Sequence, residues 1–266
     1  MLWLIIILFI TNILFAQNEY FVRKNSFHAV EAKQAVAVSK NYIFVIDNKR
    51  IGQYDKFSYK RVNTWIAEEG NPIKHLNSGV VYNGKLYCAH SNYPDIPMTG
   101  SIEIWDVKNL QHIGTHSFGI NWGSCTWIDR LNNNWYAGFV HYNKWKMLDG
   151  KGTEWSVIVK FNSNWEFLES WTFPDTVIKC FGEMSNSGAS FGKDGLLYCT
   201  GHDAKEMYVL KFPEFGSTMQ LVKIIGLDNP GQGIAWDRNI SNDLFCIDRN
   251  KRTVNIFSLI KKGITN

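Results

Sequence analysis

Apolar and polar residues alternate in short runs along most of the chain, and the runs recur. Five segments open on a strand-like stretch that holds a small residue: KQAVAV, NSGVVY, GSCTWI, NSGASF and GQGIAW. A turn and a second apolar run follow each: YIFVID, KLYCAH, WYAGFVH, LLYCTGH and LFCID. Third runs come next, IGQYD, SIEIWDV, WSVIVKF, EMYVLKF and TVNIFSL, and four units add a fourth, RVNTWI, HIGTHSF, LESWTF and LVKIIGL. The turns between first and second runs carry Asn83-Gly84, Asp194-Gly195 or the Asn132–Asn134 cluster, the residues that tight hairpins require. No stretch has the length and period of a helix. Four antiparallel strands repeated about every fifty residues predict an all-β chain, a β-propeller of five four-stranded blades. A sixth blade would require two units merged in the long third segment.

The fifth unit ends soon after its third run, and the spare strand lies at the other end of the chain, Glu19 to Phe27. Pairing it with Thr253 to Leu259 would close the ring and leave no blade with an open edge. The first strands hold Ala35, Gly79, Cys125, Gly188 or Gly233, as expected where innermost strands converge and bulk is excluded.

The first sixteen residues, MLWLIIILFITNILFA, are apolar and uncharged, and they precede a polar Gln17-Asn18-Glu19. They read as a signal peptide cleaved near Ala16, leaving a single propeller domain over residues 17–266, secreted or periplasmic; an uncleaved N-terminal anchor is the alternative. No later segment is apolar enough to span a bilayer, so no membrane association is expected after cleavage. A net charge of +4 with mixed signs and no long basic run argues against nucleic acid as a partner. Five cysteines are an odd count for an oxidising compartment. Cys88, Cys199 and Cys246 fall at matching places in strand runs, so buried free thiols are expected rather than a disulfide framework.

Candidate chemistry collects at one place. First strands begin, and second strands end, on the same face of the disc. The ends of the second strands supply Asp47, His90, His141, His202 and Asp248, and three of the seven histidines therefore share one equivalent position. The starts of the first strands add Gln34, Asn77 with Ser78, Ser124, Asn186 with Ser187, and Gln232, with His75 just before. Imidazoles, carboxylates and amides on rigid strand ends suit an acid–base site, and His90, His141 and His202 together would suit a divalent transition metal such as zinc. The spacing of three from Cys199 to His202, against two from Cys88 to His90, predicts a bulge at His202. A His or Asp near a blade turn can also serve only to tie strands together by hydrogen bonds, and His28, His112 and His116 are read that way. Long loops after His90 and His141 bring Tyr93, Tyr142, Lys144 and Trp145 near the mouth, and Trp122 precedes the third inner strand. These could stack on a sugar or aromatic acid, with Lys144 or Arg249 meeting an anion. There is no Gly-x-Ser-x-Gly, phosphate loop, Cys-x-x-Cys or His-Glu-x-x-His.

The motifs HLNSGVVYNGKLYCAHSNYP, SIEIWD, GSCTWID, DGLLYCTGHD and GQGIAWD resemble exported bacterial propeller proteins loosely labelled "cycloisomerase", relatives of lactonase-type propellers, over roughly His75 to Asp248. The resemblance implies lactone formation or opening, or action on a sugar-derived acid, with His75, Asn77, His90, Asn186, His202 and Gln232 lining the site. Two functions are carried forward. One is a lactonase- or cycloisomerase-like enzyme acting on a carbohydrate-derived or small carboxylic substrate. In it Asp47, His90, His141, His202 and Asp248 would be catalytic, and His75, Asn77, Trp122, Trp145, Asn186 and Gln232 would bind substrate. The other is a noncatalytic propeller that binds glycan or protein on its loop face.

Overall fold

The computed structural model describes residues 19–261. A first strand, β1 (Glu19–His28), precedes the blades. Blade one holds β2 (Ala35–Val38), β3 (Tyr42–Asp47), β4 (Arg50–Asp55) and β5 (Arg61–Ile66). Blade two holds β6 (His75–Tyr82), β7 (Lys85–Ser91), β8 (Gly100–Asp106) and β9 (His112–Gly119). Blade three holds β10 (Ser124–Leu131), β11 (Asn134–Val140), β12 (Val157–Phe161) and β13 (Phe167–Thr172). Blade four holds β14 (Gly188–Phe191), β15 (Leu197–Thr200), β16 (Glu206–Lys211) and β17 (Gln220–Gly226). Blade five holds β18 (Ile234–Trp236), β19 (Leu244–Asp248) and β20 (Thr253–Lys261). The strands form five four-stranded sheets, and β1 is the outermost strand of the last, in the order β1-β20-β19-β18. Its register runs from Glu19 opposite Lys261 to His28 opposite Thr253, with a bulge between Arg23 and Asn25. The closure expected from the spare strand is therefore present. The apolar run over residues 1–16 lies outside the described residues.

Alternation along the strands places one apolar set on each face of a sheet, and these sets fill the spaces between blades. Five apolar clusters lie at the junctions, one for each, beside a smaller sixth formed by Met98, Val140 and Tyr142. Phe44, Ile46, Leu86 and Trp105 join blades one and two. Ile102, Ile128, Phe139 and Val159 join two and three, and Trp127, Ile158, Phe191 and Tyr208 join three and four. Met207, Val209, Leu244 and Phe257 join four and five. Val36, Val45, Phe245 and Val254 join five back to one, which makes the ring continuous. Aromatic residues make up 15% of the chain, and many of them pack in these junctions. Cys88, Cys125, Cys199 and Cys246 are free and buried within them, whereas Cys180 is free but exposed. Burial pushes the four buried thiols well up from their ordinary range.

The inner strands are crowded as anticipated. A Cβ on Gly233 would sit 2.3 Å from the Cβ of Ala35, and one on Gly188 would sit 2.7 Å from the Cα of Gly233. One departure from the sequence expectation is helical. Within blade three, between β11 and β12, lies α1 (Lys146–Asp149), flanked by single 3-10 turns, and between blades three and four lies α2 (Asp175–Phe181). The α2 segment follows Pro174, whose φ of −62° suits a helix start. It buries Val177 and Phe181 in the junction of blades three and four and stops at Gly182, whose φ of 64° is left-handed. Seven residues are too few for a helical period to register against the surrounding alternation. No helix among the described residues is long and apolar enough to cross a membrane.

Candidate functional site

The central channel opens at two mouths. At the upper mouth the innermost strands begin and the second strands end. A cavity of about 100 Å³ occupies it, lined by residues of all five blades, among them Gln34, His75, Asn77, Thr126, His202 and Gln232. Tyr93, Tyr142, Met184, Ser187 and Arg249 complete the wall, and none of the lining residues is acidic.

Two of these side chains are turned inward by irregularities of the inner strands. Pairing between β6 and β7 slips between Leu76 and Gly79, and pairing between β10 and β11 slips between Cys125 and Trp127. Bulged residues leave the ladder and are re-aimed; Asn77 and Thr126 are the residues so released. They are 6% and 4% exposed, and Asn77 Nδ2 and Thr126 Oγ1 have no hydrogen-bond partner. Each such orphan costs about 1–3 kcal/mol unless water or a ligand meets it.

His75 faces the same cavity and stacks obliquely on Tyr93, with centroids 5.0 Å apart. Its ring makes no side-chain hydrogen bond among the described residues. Burial first, then the neighbouring charges of His90, Lys33 and Arg249, lowers its pKa to about 4, against a smaller opposing pull from Asp47. His75 is therefore neutral at physiological pH. Tyr142 is buried against Tyr93 (5.3 Å, edge-on), and burial holds its phenol protonated. His202 is bound at both ring nitrogens: Nδ1 donates to Asp203 Oδ2 at 2.7 Å, and Nε2 accepts from Arg249 Nη1 at 2.7 Å. Gln34 donates to Asn48 Oδ1 at 2.6 Å, and Gln232 donates to the His202 carbonyl at 2.9 Å.

The five-membered column of strand ends does not converge on this cavity. His202 reaches it from beyond the end of β15, and the expected bulge is absent: β15 stops at Thr200 and pairs with both neighbours without a register shift. His90 turns into blade two, where Nε2 accepts from the Lys74 backbone at 3.0 Å and Nδ1 donates to Ser101 Oγ at 2.9 Å. The Ser101 hydroxyl in turn donates a hydrogen bond to Glu103, a buried carboxylate that also binds His112 and Thr115. His141 is buried against Gly123, where a Cβ would lie 2.7 Å from its Nε2, and its backbone N–H donates to Ser156. The three imidazoles thus do not share a centre. Among the described residues, no group of three or more His, Cys, Asp or Glu is arranged to hold a metal. Asp47 caps the Asn48 backbone at 2.7 Å and pairs with Arg252. Asp248 accepts from the backbones of Asn250 and Lys251, both at 3.1 Å. Both carboxylates organise turns.

Of the residues expected to bind substrate, His75, Asn77 and Gln232 line the cavity. Asn186 does not: it is fully buried, accepts from Trp127 Nε1 at 2.5 Å, and donates to the carbonyls of Gly188 and Thr200. It ties blade three to blade four. Gly138 makes this tie possible, since a Cβ there would overlap the Trp127 indole. Trp122 stacks on Phe167 at 5.5 Å, away from the cavity wall. The side chain of Trp145 lies outside the described residues. Thr126 and Met184 were missed. The available signal for Thr126 was the unbroken polar flank of Cys125 in GSCTWI; Met184 arrives on a loop after α2 and carried none.

No protein-family model matches the chain, and no curated protein matches its sequence. Among solved structures, the RRP9 WD40 repeats are similar at 13% identity and a TM-score of 0.49, covering 85% of this chain and 79% of that one. A protein of unknown function from Bacteroides caccae is similar at 12% identity and a TM-score of 0.48, covering 86% and 71%. U3-55K is similar at 11% identity and a TM-score of 0.47, covering 84% and 79%. None of these three bears a lactonase or cycloisomerase name. The propeller architecture stands on the sheet order given above rather than on these likenesses.

Proposed function

We propose that the upper mouth binds a small, acceptor-rich acid, either carbohydrate-derived or a simple hydroxycarboxylic acid. The observation that carries this reading is the pair of buried, unpartnered groups Asn77 Nδ2 and Thr126 Oγ1 on one cavity wall. Arg249 adds a cation, and the absence of acidic residues from the lining leaves a ligand carboxylate unopposed. Tyr93 and Tyr142 offer ring surface to a sugar-like body. The apolar run at residues 1–16 supports action outside the cytoplasm on a ligand taken from the surroundings. Calorimetric titration with gluconate and its lactone tests the site. Binding should weaken at least about tenfold in Asn77→Ala, the loss of one good hydrogen bond to a charged group. If neither compound nor any related hydroxy acid binds, the reading fails.

A second reading, lactonase- or cycloisomerase-like chemistry, is favoured by His75. A neutral imidazole without a side-chain hydrogen bond faces the ligand space and could accept a proton from water or from a substrate hydroxyl. Its low pKa makes it a weak base, which favours binding over turnover as the principal activity. Lactone hydrolysis followed at constant pH, with His75→Gln as the control, separates the two: a rate that His75→Gln leaves intact removes His75 from catalysis.

A further inference from the structure

At the lower mouth the polar groups of three blades are joined through one carboxylate. Asp129 accepts from the Arg130 backbone at 2.7 Å, the Phe191 backbone at 2.8 Å, Ser190 Oγ at 3.1 Å and Arg238 Nη2 at 2.5 Å. Arg238 also donates to the Arg130 carbonyl at 2.9 Å. The charges of Asp129 and Arg238 thereby cancel.

Arg130 is left over. Its guanidinium carbon lies 4.0 Å from the Tyr82 ring centre and 4.6 Å from that of Trp135. Those two rings are nearly perpendicular, at 84°, so the cation sits in the corner between them. Trp135 is backed by Trp165 at 4.9 Å and 9°, and Trp165 by His116 at 4.8 Å and 15°, which fixes the wall. Burial lowers the His116 pKa, so that ring brings no second cation. Among the described residues no carboxylate and no hydrogen-bond acceptor meets the Arg130 guanidinium. It opens on a groove of about 260 Å³ shared with Tyr82, Asn132, Asn133 and Arg238, none of them acidic. The adjoining lower cavity shares Arg238 with this groove and holds Trp236, whose buried Nε1 has no partner.

We propose that Arg130 and this groove form an oxyanion site that takes the carboxylate of a small acid. Asp129, Arg238 and Arg130 together leave one positive charge, which a single carboxylate neutralises and a phosphate dianion would exceed. The planar guanidinium, held by its aromatic corner, offers N–H groups in the geometry that a carboxylate accepts in pairs, and the Asn132 and Asn133 carboxamides stand beside it as further donors. The site is independent of the upper mouth, because the two cavities share no lining residue.

The test is a titration of the full mature chain with sodium acetate at constant ionic strength, read by the backbone amide resonances of Asn132 and Asn133. Saturable shifts are expected. Half-saturation should rise at least about tenfold in Arg130→Gln, and by about threefold in Arg130→Lys, which keeps the charge but not the planar edge. Arg130→Lys also guards against a folding defect in the neutral variant. Shifts that grow linearly with acetate, or that Arg130→Gln leaves unchanged, overturn the site. Tighter saturation by inorganic phosphate than by acetate overturns its assignment to a carboxylate.

Discussion

Blades two and four carry the same tripeptide at the start of the inner strand, Asn77-Ser78-Gly79 and Asn186-Ser187-Gly188, and a histidine at the end of the second strand, His90 and His202. The two blades use these pairs in opposite ways. In blade two the asparagine is released into the cavity with its amide unpaired, and the histidine is tied inside the sheet at both nitrogens. In blade four the asparagine is locked to Trp127 and two carbonyls, and the histidine reaches the cavity wall. The difference is one of register. Blade two places its irregularity in the inner strand, between Leu76 and Gly79, whereas in blade four β14 begins only at Gly188 and β15 ends at Thr200, short of His202. Equivalent sequence positions fix where a backbone lies; a slip of one residue decides what a side chain touches.

The sharpest way to break this comparison is to remove both asparagines in turn. Asn186→Ala deletes three buried hydrogen bonds and orphans Trp127 Nε1, so urea unfolding should report a loss of about 3 kcal/mol. Asn77→Ala removes a group that is already unpaired and should leave the midpoint unchanged or raise it. A similar loss in both variants would mean that Asn77 is structural too.

The histidines should show the inverse pattern with a smaller amplitude. His90→Ala strands the Lys74 N–H and the Ser101–Glu103 chain, and should cost about 2 kcal/mol while leaving upper-mouth ligand affinity within about twofold. His202→Ala cuts two partly exposed contacts and should cost less than about 1 kcal/mol. It should nonetheless weaken ligand binding by several-fold, because Arg249 loses its support. Parallel denaturation and calorimetry on the two variants check the crossing.

Acid sharpens the blade-two side. Burial is the leading cause that lowers the pKa of both His75 and His90, with Glu103 opposing it at His90. The folded protein therefore binds protons later than the unfolded chain, so stability is complete above about pH 6.5 and falls as the solution is acidified. For His75 the loss extends down to about pH 4. Urea midpoints between pH 7.5 and 4.5 should fall with a slope no steeper than about 1.4 kcal/mol per pH unit for each imidazole, and more shallowly in His75→Gln. An unaltered slope in that variant would remove His75 from the effect.

The smallest effect expected is chemical. Cys180 should react with a thiol reagent at once in the native protein, while the four junction cysteines react only in denaturant. Rapid native labelling at Cys88 or Cys199 would show that the junctions of blades two and four are looser than their packing implies.

How much of this was legible in the chain follows from the same contrast. Repeats, turn dipeptides and the spare strand specify backbone pairing, and the five sheets and their closure were readable from them. His75, Asn77, His202 and Gln232 do line one cavity, since strand ends are positions that the backbone alone locates. Asn186, His90 and His141 do not line the cavity, because where each side chain goes depends on a neighbour: Trp127 crossing a blade boundary, Ser101 on the next strand, and the bare backbone at Gly123. Thr126 was missed for a related reason: the polar residues flanking Cys125 mark the place, but the failure of pairing that turns Thr126 inward is set by the partner strand.

The strand that closes the ring also sets an order on the chain's birth. β1 is made first and its partner β20 last. Blades one to four can take shape as they are synthesised, but the fifth must wait for a strand that has stood unpaired throughout. Bringing such distant segments together adds little to the thermodynamic cost, since closure entropy grows only with the logarithm of length, yet it makes the final docking slow. During that interval β1 is an open edge, the kind of surface on which neighbouring nascent chains can nucleate. Its sequence, EYFVRKNSFH, interleaves Glu19, Arg23 and Lys24 with Phe21 and Phe27, which become half-buried against the junctions once the ring closes, and those charges act as a guard while the strand waits.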